Sequence, residues 1–484
     1  MTPDLLPQSS SSSSSSSSSI SSSLPRRTFL ATGAAAAAAL AVGRAPAAAK
    51  AKPPNFVTIL CDQLGFDAIA AHGCPDVRTP NIDRLVARGV SFRESHSTNP
   101  VCSPARSSLM TGRMPCETGV ISNTRPIHAS MPNLGHWLRQ HGYHTVYCGK
   151  WHLPWGYTPA IDGFTVLPVG QGQGDIVDPL VSRSCEAWIK SRPTDKPFAM
   201  VASLMNPHDI CYWAIRGKQL VPEQLPFPQL EGKLPELPPN HKARPPAPAG
   251  LDRCIYKGFS DEQWRYYIWI YYRQVEMVDA EIGRIMQAVD DCGLGDDTIF
   301  VLTADHGEGR GRHRHVQKWY PYEEGVKVPM VWSCPARIRS GVQDREHLVS
   351  GIDVMSTLCD LAGIEAPPSA RGRSVRPLLE GKPVEWREFV VSSHHLHPSR
   401  RRSYGHMVRT ARYKFVEYEG DPVVQLFDMQ ADPWELSNLY QDAKYAGEIK
   451  THRKLLREWQ AHLKPVAPTP EMGYGHIRRR KGRK

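Results

Sequence analysis

Five apolar runs along the chain share one feature: each stops at polar or charged residues. "NFVTILCDQLG" predicts a buried strand from Phe56 to Leu60 that runs into Asp62. "VSFRESHSTN" reads as a short strand with a polar end, and "GYHTVYCGKWHL" as one ending at Gly149-Lys150. "FAMVASLMNPHD" ends at Asn206-Pro207-His208, and "TIFVLTADHGE" at Asp305-His306. Helical patterns lie between them. In "TPNIDRLVARG", Pro80 can open a helix, Leu85 and Val86 supply its apolar side, and Gly89 is placed to end it. Pro104 sits near the start of a predicted helix, "ARSSLMTG". The run from Ser260 predicts a long helix, with a Ser260–Gln263 capping box and Gly293 at its C-cap. Strand–helix alternation with polar strand ends predicts an α/β fold. It would be an open, mostly parallel sheet flanked by helices, with its site outside the carboxyl ends of the strands.

From about residue 385 the pattern changes. "EFVVSSHH", "YGHMVRTARYKFVEYEG" and "VVQLFDM" read as short antiparallel strands, and a helix is expected over roughly 445–463. This predicts a smaller C-terminal α+β domain over 385–465, after a main domain over 53–384. Residues 216–250 are proline-rich and predict an irregular insertion of the kind that shapes binding sites. No internal repeat is visible.

Length changes little in this picture: 484 residues allow one large and one small domain. Charge does change it, because a net +11 suggests nucleic acid. "RRRKGRK" at 478–484 holds six cations, and residues 1–47 carry a net +2, which leaves about +3 for the body. With no recognition module beside it, the charge marks a basic tail over 466–484 and argues against a nucleic-acid partner. Residues 1–47 combine a serine run, expected to be disordered, with "LPRRTFLATGAAAAAALAVGRAPAAAKA". The Arg26-Arg27 pair, the alanine-rich stretch and Ala45-Pro46-Ala47 predict a twin-arginine signal peptide. Export by the twin-arginine translocase would place the protein in the periplasm or outside the cell. The apolar run is too short and weak for a membrane span. Eleven cysteines form no CxxC pair or zinc spacing, and the odd number leaves at least one without an intramolecular partner.

The strand-end residues Asp62, Asp305 and His306 are suited to converge on a hard or borderline cation. Lys150, His152, His208 and Lys318 stand beside them. Lysines and Arg106 around a cation make sense when an anion sits between them. That reading is an anion-transfer site, in which the cations hold oxygens and histidines move protons.

"CSPAR" followed by "SSLMTG", and then "GYHTVYCGKWH" at 142–152, resemble the two signatures of the type I sulfatases. "TPNIDRL", "TADHGE", "KWYPYEEGVKVP" and "LFDMQADPWELSNL" match that family in the same order, over roughly residues 54–440. The resemblance implies an alkaline-phosphatase-like fold and oxidation of Cys102 to formylglycine by a maturing enzyme. An aldehyde hydrate offers two hydroxyls on one carbon: one attacks sulfur, and the other reforms the aldehyde so that sulfate leaves. The resemblance further implies a divalent metal held by Asp62, Gln63, Cys102, Asp305 and His306. Arg106 would steady the hydrate, Lys150 and Lys318 would contact sulfate, and His152 would assist proton removal. His208 would contact sulfate or protonate the leaving group, and His313 would face substrate.

Two positions depart from the commonest family pattern: Gln63 where a second aspartate is usual, and His306 where asparagine is usual. Both soften the site, so calcium is the first expectation and manganese or another transition metal the second. The activity implied is hydrolysis of a sulfated small molecule or polysaccharide, with carbohydrate favoured by export, by the insertion and by Trp151, Trp155 and Trp213. The alternative is a phosphonate monoester or phosphodiester hydrolase of the same superfamily. A third reading, an unmodified Cys102 in a binding protein, fits poorly with so full a set of cations and ligands.

Overall fold

The computed structural model describes residues 52–216, 221–222, 224, 227–248, 256, 258–395 and 404–472. The serine run, the expected signal peptide, Cys254 and the cationic run 478–484 lie outside them. The strands are β1 (Asn55–Asp62), β2 (Gly89–Phe92), β3 (Ser95–His96), β4 (His144–Gly149), β5 (Thr165–Leu167), β6 (Phe198–Pro207) and β7 (Thr298–Ala304). They continue with β8 (Met330–Ser333), β9 (Val342–Asp344), β10 (Val349–Ser350), β11 (Phe389–His395), β12 (Tyr404–Thr410), β13 (Tyr413–Tyr418) and β14 (Val424–Asp428).

Eight strands form the central sheet in the order β5-β4-β6-β1-β7-β8-β2-β9. The block from β5 to β7 is parallel, whereas β8 runs antiparallel to both β7 and β2. The fold is the expected α/β type: a mostly parallel, helix-flanked sheet. Its parallel strands are continuous apolar runs because both faces are covered. One core packs the long helix Asp261–Asp291 and the helix Gly174–Ser191 on one face, and a second core fills the other. The capping box at the start of the long helix is present, and Gly293 follows it with a left-handed φ of 66°. Strands β5, β8 and β9 went unassigned from sequence, since three or four residues carry no periodicity.

Gly89 corrects one expectation. The helix Pro80–Ala87 ends without it, at Arg88, and Gly89 instead begins β2. A Cβ at Gly89 would lie 2.1 Å from the Trp332 carbonyl oxygen and 2.7 Å from Ser333 Cα. The position therefore needs glycine so that β2 and β8 can approach. Gly89→Ala should cost about 1–3 kcal/mol, the range for forced overpacking, read as a lower urea midpoint. An unchanged midpoint would contradict this reading.

The C-terminal sheet is antiparallel in the order β11-β12-β13-β14. One face packs on the helix Ala446–His462 through Val408, Phe415, Leu426, Ile449 and Leu456. The other packs Met407, Val416 and Phe427 on Tyr320, Tyr322 and Val326, the segment just after Lys318. Lys414, fully buried on β13, bonds Glu323 and Glu435, both at 2.8 Å. The small sheet thus braces the loop that carries Lys318. Residues 466–472 of the expected basic tail run along the main domain with Thr469 buried and most of the others exposed. The amides of Val466, Thr469 and Met472 donate to the carbonyls of Cys116, Gly119 and Thr124. No disulfide links the described cysteines, and among the described residues no helix is long and apolar enough to cross a membrane.

Candidate active site

Parallel neighbours β4, β6, β1 and β7 deliver their carboxyl ends to one edge of the sheet. Asp62 ends β1, Lys150 follows β4, His208 follows β6, and Asp305-His306 follow β7. Gly149 permits the turn to Lys150: its φ is 98°, and a Cβ there would meet the Ser203 carbonyl oxygen at 2.0 Å. Cys102 is the first residue of the helix Cys102–Thr111, which starts after the extended Val101. Pro104 occupies the first turn, where its missing N–H costs nothing. This places the Cys102 side chain over the strand ends.

The Cys102 sulfur lies 3.2 Å from His306 Nε2, 3.3 Å from Lys318 Nζ and 3.8 Å from Asp62 Oδ1. His152 also hydrogen-bonds it. Lys318 Nζ donates to Gln63 Oε1 at 2.7 Å, and Lys150 Nζ pairs with Asp62 Oδ2 at 2.5 Å. Arg106 is buried below this layer. It donates to Asp305 Oδ2 (2.7 Å), Asp62 Oδ2 (3.1 Å), the Lys150 carbonyl (2.7 Å) and Ser203 Oγ (2.8 Å). The guanidinium fork therefore sets the spacing of the two carboxylates. The resemblance had assigned it to the hydrate alone.

The electrostatics follow from these neighbours. Burial raises the Asp62 carboxyl, but the cations Lys150, Lys318 and Arg106 outweigh it and hold Asp62 well below the carboxylate range. For Asp305, burial and the Asp62 charge win over His306 and Arg106 and push it up. At Cys102, burial and Asp62 raise the thiol, and Lys318, Lys150 and His306 overcome them to hold it well below its ordinary value. Burial lowers His152 despite its bond to Cys102; burial and then Lys150 and Lys318 hold His208 well below the imidazole range. Both histidines are thus kept neutral, the form that can accept a proton.

The donor set suits a divalent cation. One ligand atom each from Asp62, Cys102, Asp305 and His306 fall within 4.8 Å of one another, all buried. His306 Nδ1 contacts the Gly307 carbonyl at 2.9 Å and must donate to it, which leaves Nε2 as the ring atom facing the cluster. Burial lowers this imidazole, but Asp305 overcomes it and raises it, so a bound cation would take the place of the Nε2 proton. Gln63, at a left-handed φ of 73°, is oriented by its amide nitrogen, which donates to Glu308 and to Cys211. Its oxygen therefore faces the site. A cation here would relieve the repulsion between the two aspartates.

His313 is not brought to this cluster. It is buried, its Nδ1 lies 2.9 Å from Glu324, its Nε2 lies 3.2 Å from the Glu435 carbonyl, and it stacks on Tyr322. It belongs to the wall under the C-terminal sheet. The described part of the insertion packs on the same loop, with the Asn240 carbonyl accepting from the His313 amide. Trp151 is core: its indole donates to the Leu153 carbonyl and it packs edge-on to Tyr147. Trp155 is exposed, and Trp213 lines a separate cavity.

Sequence reasoning missed Glu308 and Ser203. Glu308 accepts from Gln63, Tyr267 and the Gln317 amide, so it connects the strand end, the long helix and the Lys318 loop. Its place in "TADHGE" was the available signal. Ser203 donates to the Lys150 carbonyl and accepts from Arg106; a serine within an apolar strand was the hint.

The sulfatase family profile matches residues 54–364, well over half the chain. The chain belongs to the sulfatase family. A second profile, "N-sulphoglucosamine sulphohydrolase, C-terminal", matches residues 311–462. A Bacteroides thetaiotaomicron Delta 4,5-hexuronate-2-O-sulfatase is 31% identical over 87% of this sulfatase and 91% of its own length. The structure of a 2-O GAG sulfatase superposes with a TM-score of 0.77 at 29% identity, over 87% of this chain and 98% of that one. The phosphonate monoester hydrolase of Agrobacterium radiobacter shares the fold, with a TM-score of 0.70 at 24% identity over 84% and 95%. This sulfatase is therefore a hydrolase with an alkaline-phosphatase-like fold. The cluster around Cys102 lies where its two signature segments meet.

Proposed function

We propose that this sulfatase removes sulfate from an exported or extracellular carbohydrate, using residue 102 as formylglycine together with a divalent metal. The observation that carries the reading is the arrangement around Cys102. A potential nucleophile position, two lysines, two neutral histidines and a carboxylate–imidazole ligand set converge at one sheet edge. Formylglycine at this position would supply, as its hydrate, one hydroxyl to attack sulfur as the alcohol leaves and a second whose deprotonation would release sulfate. Asp62, Gln63, Asp305, His306 and residue 102 would hold a divalent cation, which would supply Lewis-acid charge to the site.

The chain's own residues do the rest. Lys150 and Lys318 hold sulfate oxygens and offset their charge. His152, next to residue 102, accepts the hydrate proton, and His208 attends the leaving oxygen. Arg106 keeps the two aspartates at a fixed separation, and Glu308 keeps the Gln63 oxygen turned inward. The carbohydrate assignment draws on the sulfatases named above, and twin-arginine export gives a cytoplasmic maturing enzyme access to Cys102 first.

The test is sulfate release from a panel of sulfated saccharides beside a phosphonate monoester and a phosphate diester. Turnover of a sulfated saccharide with the highest kcat/KM is expected. A higher value on the phosphonate or diester, or no sulfate release at all, would overturn the reading. Metal dependence gives a second check. Losing even an outer-shell group costs about 10–100-fold in metal affinity, so Asp62→Asn should weaken divalent-metal binding at least that much. Elemental analysis of the purified variant reads this, and wild-type metal content would contradict the ligand assignment.

A further inference from the structure

A cavity of about 410 Å³ opens beside the end of β6, within the range of sites that take small ligands (roughly 300–1,000 Å³). Its wall includes Asn206 and Asp209, the residues on either side of Pro207-His208. We propose that it seats an uncharged sugar ring of the substrate, the neighbour of the sulfated ring. This rests on the reading of the protein as a carbohydrate sulfatase and adds how its substrate is gripped.

Three observations identify the occupant. The first is a polar part of the wall: Gln173, Asn206 and Gln274 line the cavity, and the Gln173 amide nitrogen donates to the Tyr212 hydroxyl at 2.6 Å. A few polar side chains in an otherwise aromatic wall suit a ligand that carries hydroxyls.

The second is an aromatic wall. Tyr266 and Trp269 lie on one turn of the long helix with near-parallel rings 5.9 Å apart, and Trp213 meets Tyr266 edge-on. Tyr212, 37% exposed, lines the same space. Aromatic faces suit the C–H faces of a pyranose, and its hydroxyls suit a wall that also carries polar side chains.

The third is charge. Asp175 and Asp209 are set against one cation, Arg273, which is held by the Asp76 carbonyl and Glu276. Asp209 itself accepts from the Gly174 and Asp175 amides, which seats the carboxylate at the start of the helix Gly174–Ser191. This balance does not favour a second sulfate or a carboxylate. A hydroxyl-rich neutral ring meets all three conditions.

The experiment compares kcat/KM on an aryl sulfate, a sulfated monosaccharide and a disaccharide carrying that residue next to a neutral sugar. Wild type and the variants Trp269→Ala and Tyr212→Ala are used, with thermal melts confirming folding. The disaccharide should be preferred over the monosaccharide. Each variant should lose about 10-fold or more on the disaccharide relative to its loss on the aryl sulfate, as expected for an aromatic anchor. Tyr212 is exposed, so its variant keeps the test valid if Trp269→Ala misfolds. Equal losses on both substrates, or none on the disaccharide, would overturn the subsite while leaving the carbohydrate reading in place. Turnover of the aryl sulfate with no release from any saccharide would overturn the carbohydrate reading, and the subsite with it.

Discussion

Cys102→Ala should reduce sulfate release at least about 10⁴-fold, the scale seen when a covalent nucleophile is deleted. The expectation comes from what surrounds the side chain. Lys318 and His306 lie within 3.3 Å of the sulfur, and His152 bonds it. A methyl group in that position keeps the helix start and gives the acid–base groups nothing to act on. Stability should change little, because the position sits at a helix N-terminus and the smaller side chain fits. A folded variant with more than about a hundredth of wild-type kcat/KM would contradict nucleophilic catalysis at this position. The same comparison excludes the non-catalytic reading of an unmodified cysteine.

Arg106→Lys should carry the second largest effect, and on two readouts. The guanidinium bonds both aspartates, a backbone carbonyl and a serine from one plane, at 1% exposure. A lysine ammonium is a point charge and cannot reproduce that fork. Breaking a buried ion pair by removing one partner costs about 3–5 kcal/mol, and the metal-free protein should lose an amount of that order in urea unfolding. Turnover should also fall, by about 10²–10³-fold, as the ligand carboxylates lose their spacing. Wild-type stability together with wild-type turnover would show that the fork is dispensable. A loss of stability with full turnover would confine Arg106 to a structural role.

Much of this site could be read before folding, because its residues sit at the ends of long apolar runs. Asp62, Lys150, His208 and Asp305 each follow at least six consecutive strand residues, and parallel pairing then brings those ends together. The Cys102–Arg106 spacing places both residues at one helix start, where their depth differs by about a turn. Glu308 was harder to read. Its partner Gln63 is 245 residues away in the chain, and the link appears only when β1 and β7 pair. His313 shows the opposite case. The resemblance implies a substrate role for it, and the structure places it apart from the Cys102 cluster, bonded to Glu324 and buried. Gly89 followed a helical run closely enough to pass for its cap, while the actual constraint came from β8, more than two hundred residues later.

The state of residue 102 in active enzyme tests the account most directly. Peptide mass spectrometry of a preparation that releases sulfate should find the Cys102 peptide about 18 Da lighter than its thiol form, the change from thiol to aldehyde and distinct from sulfur oxidation. Full activity with only the thiol present at Cys102 would contradict the proposed nucleophile.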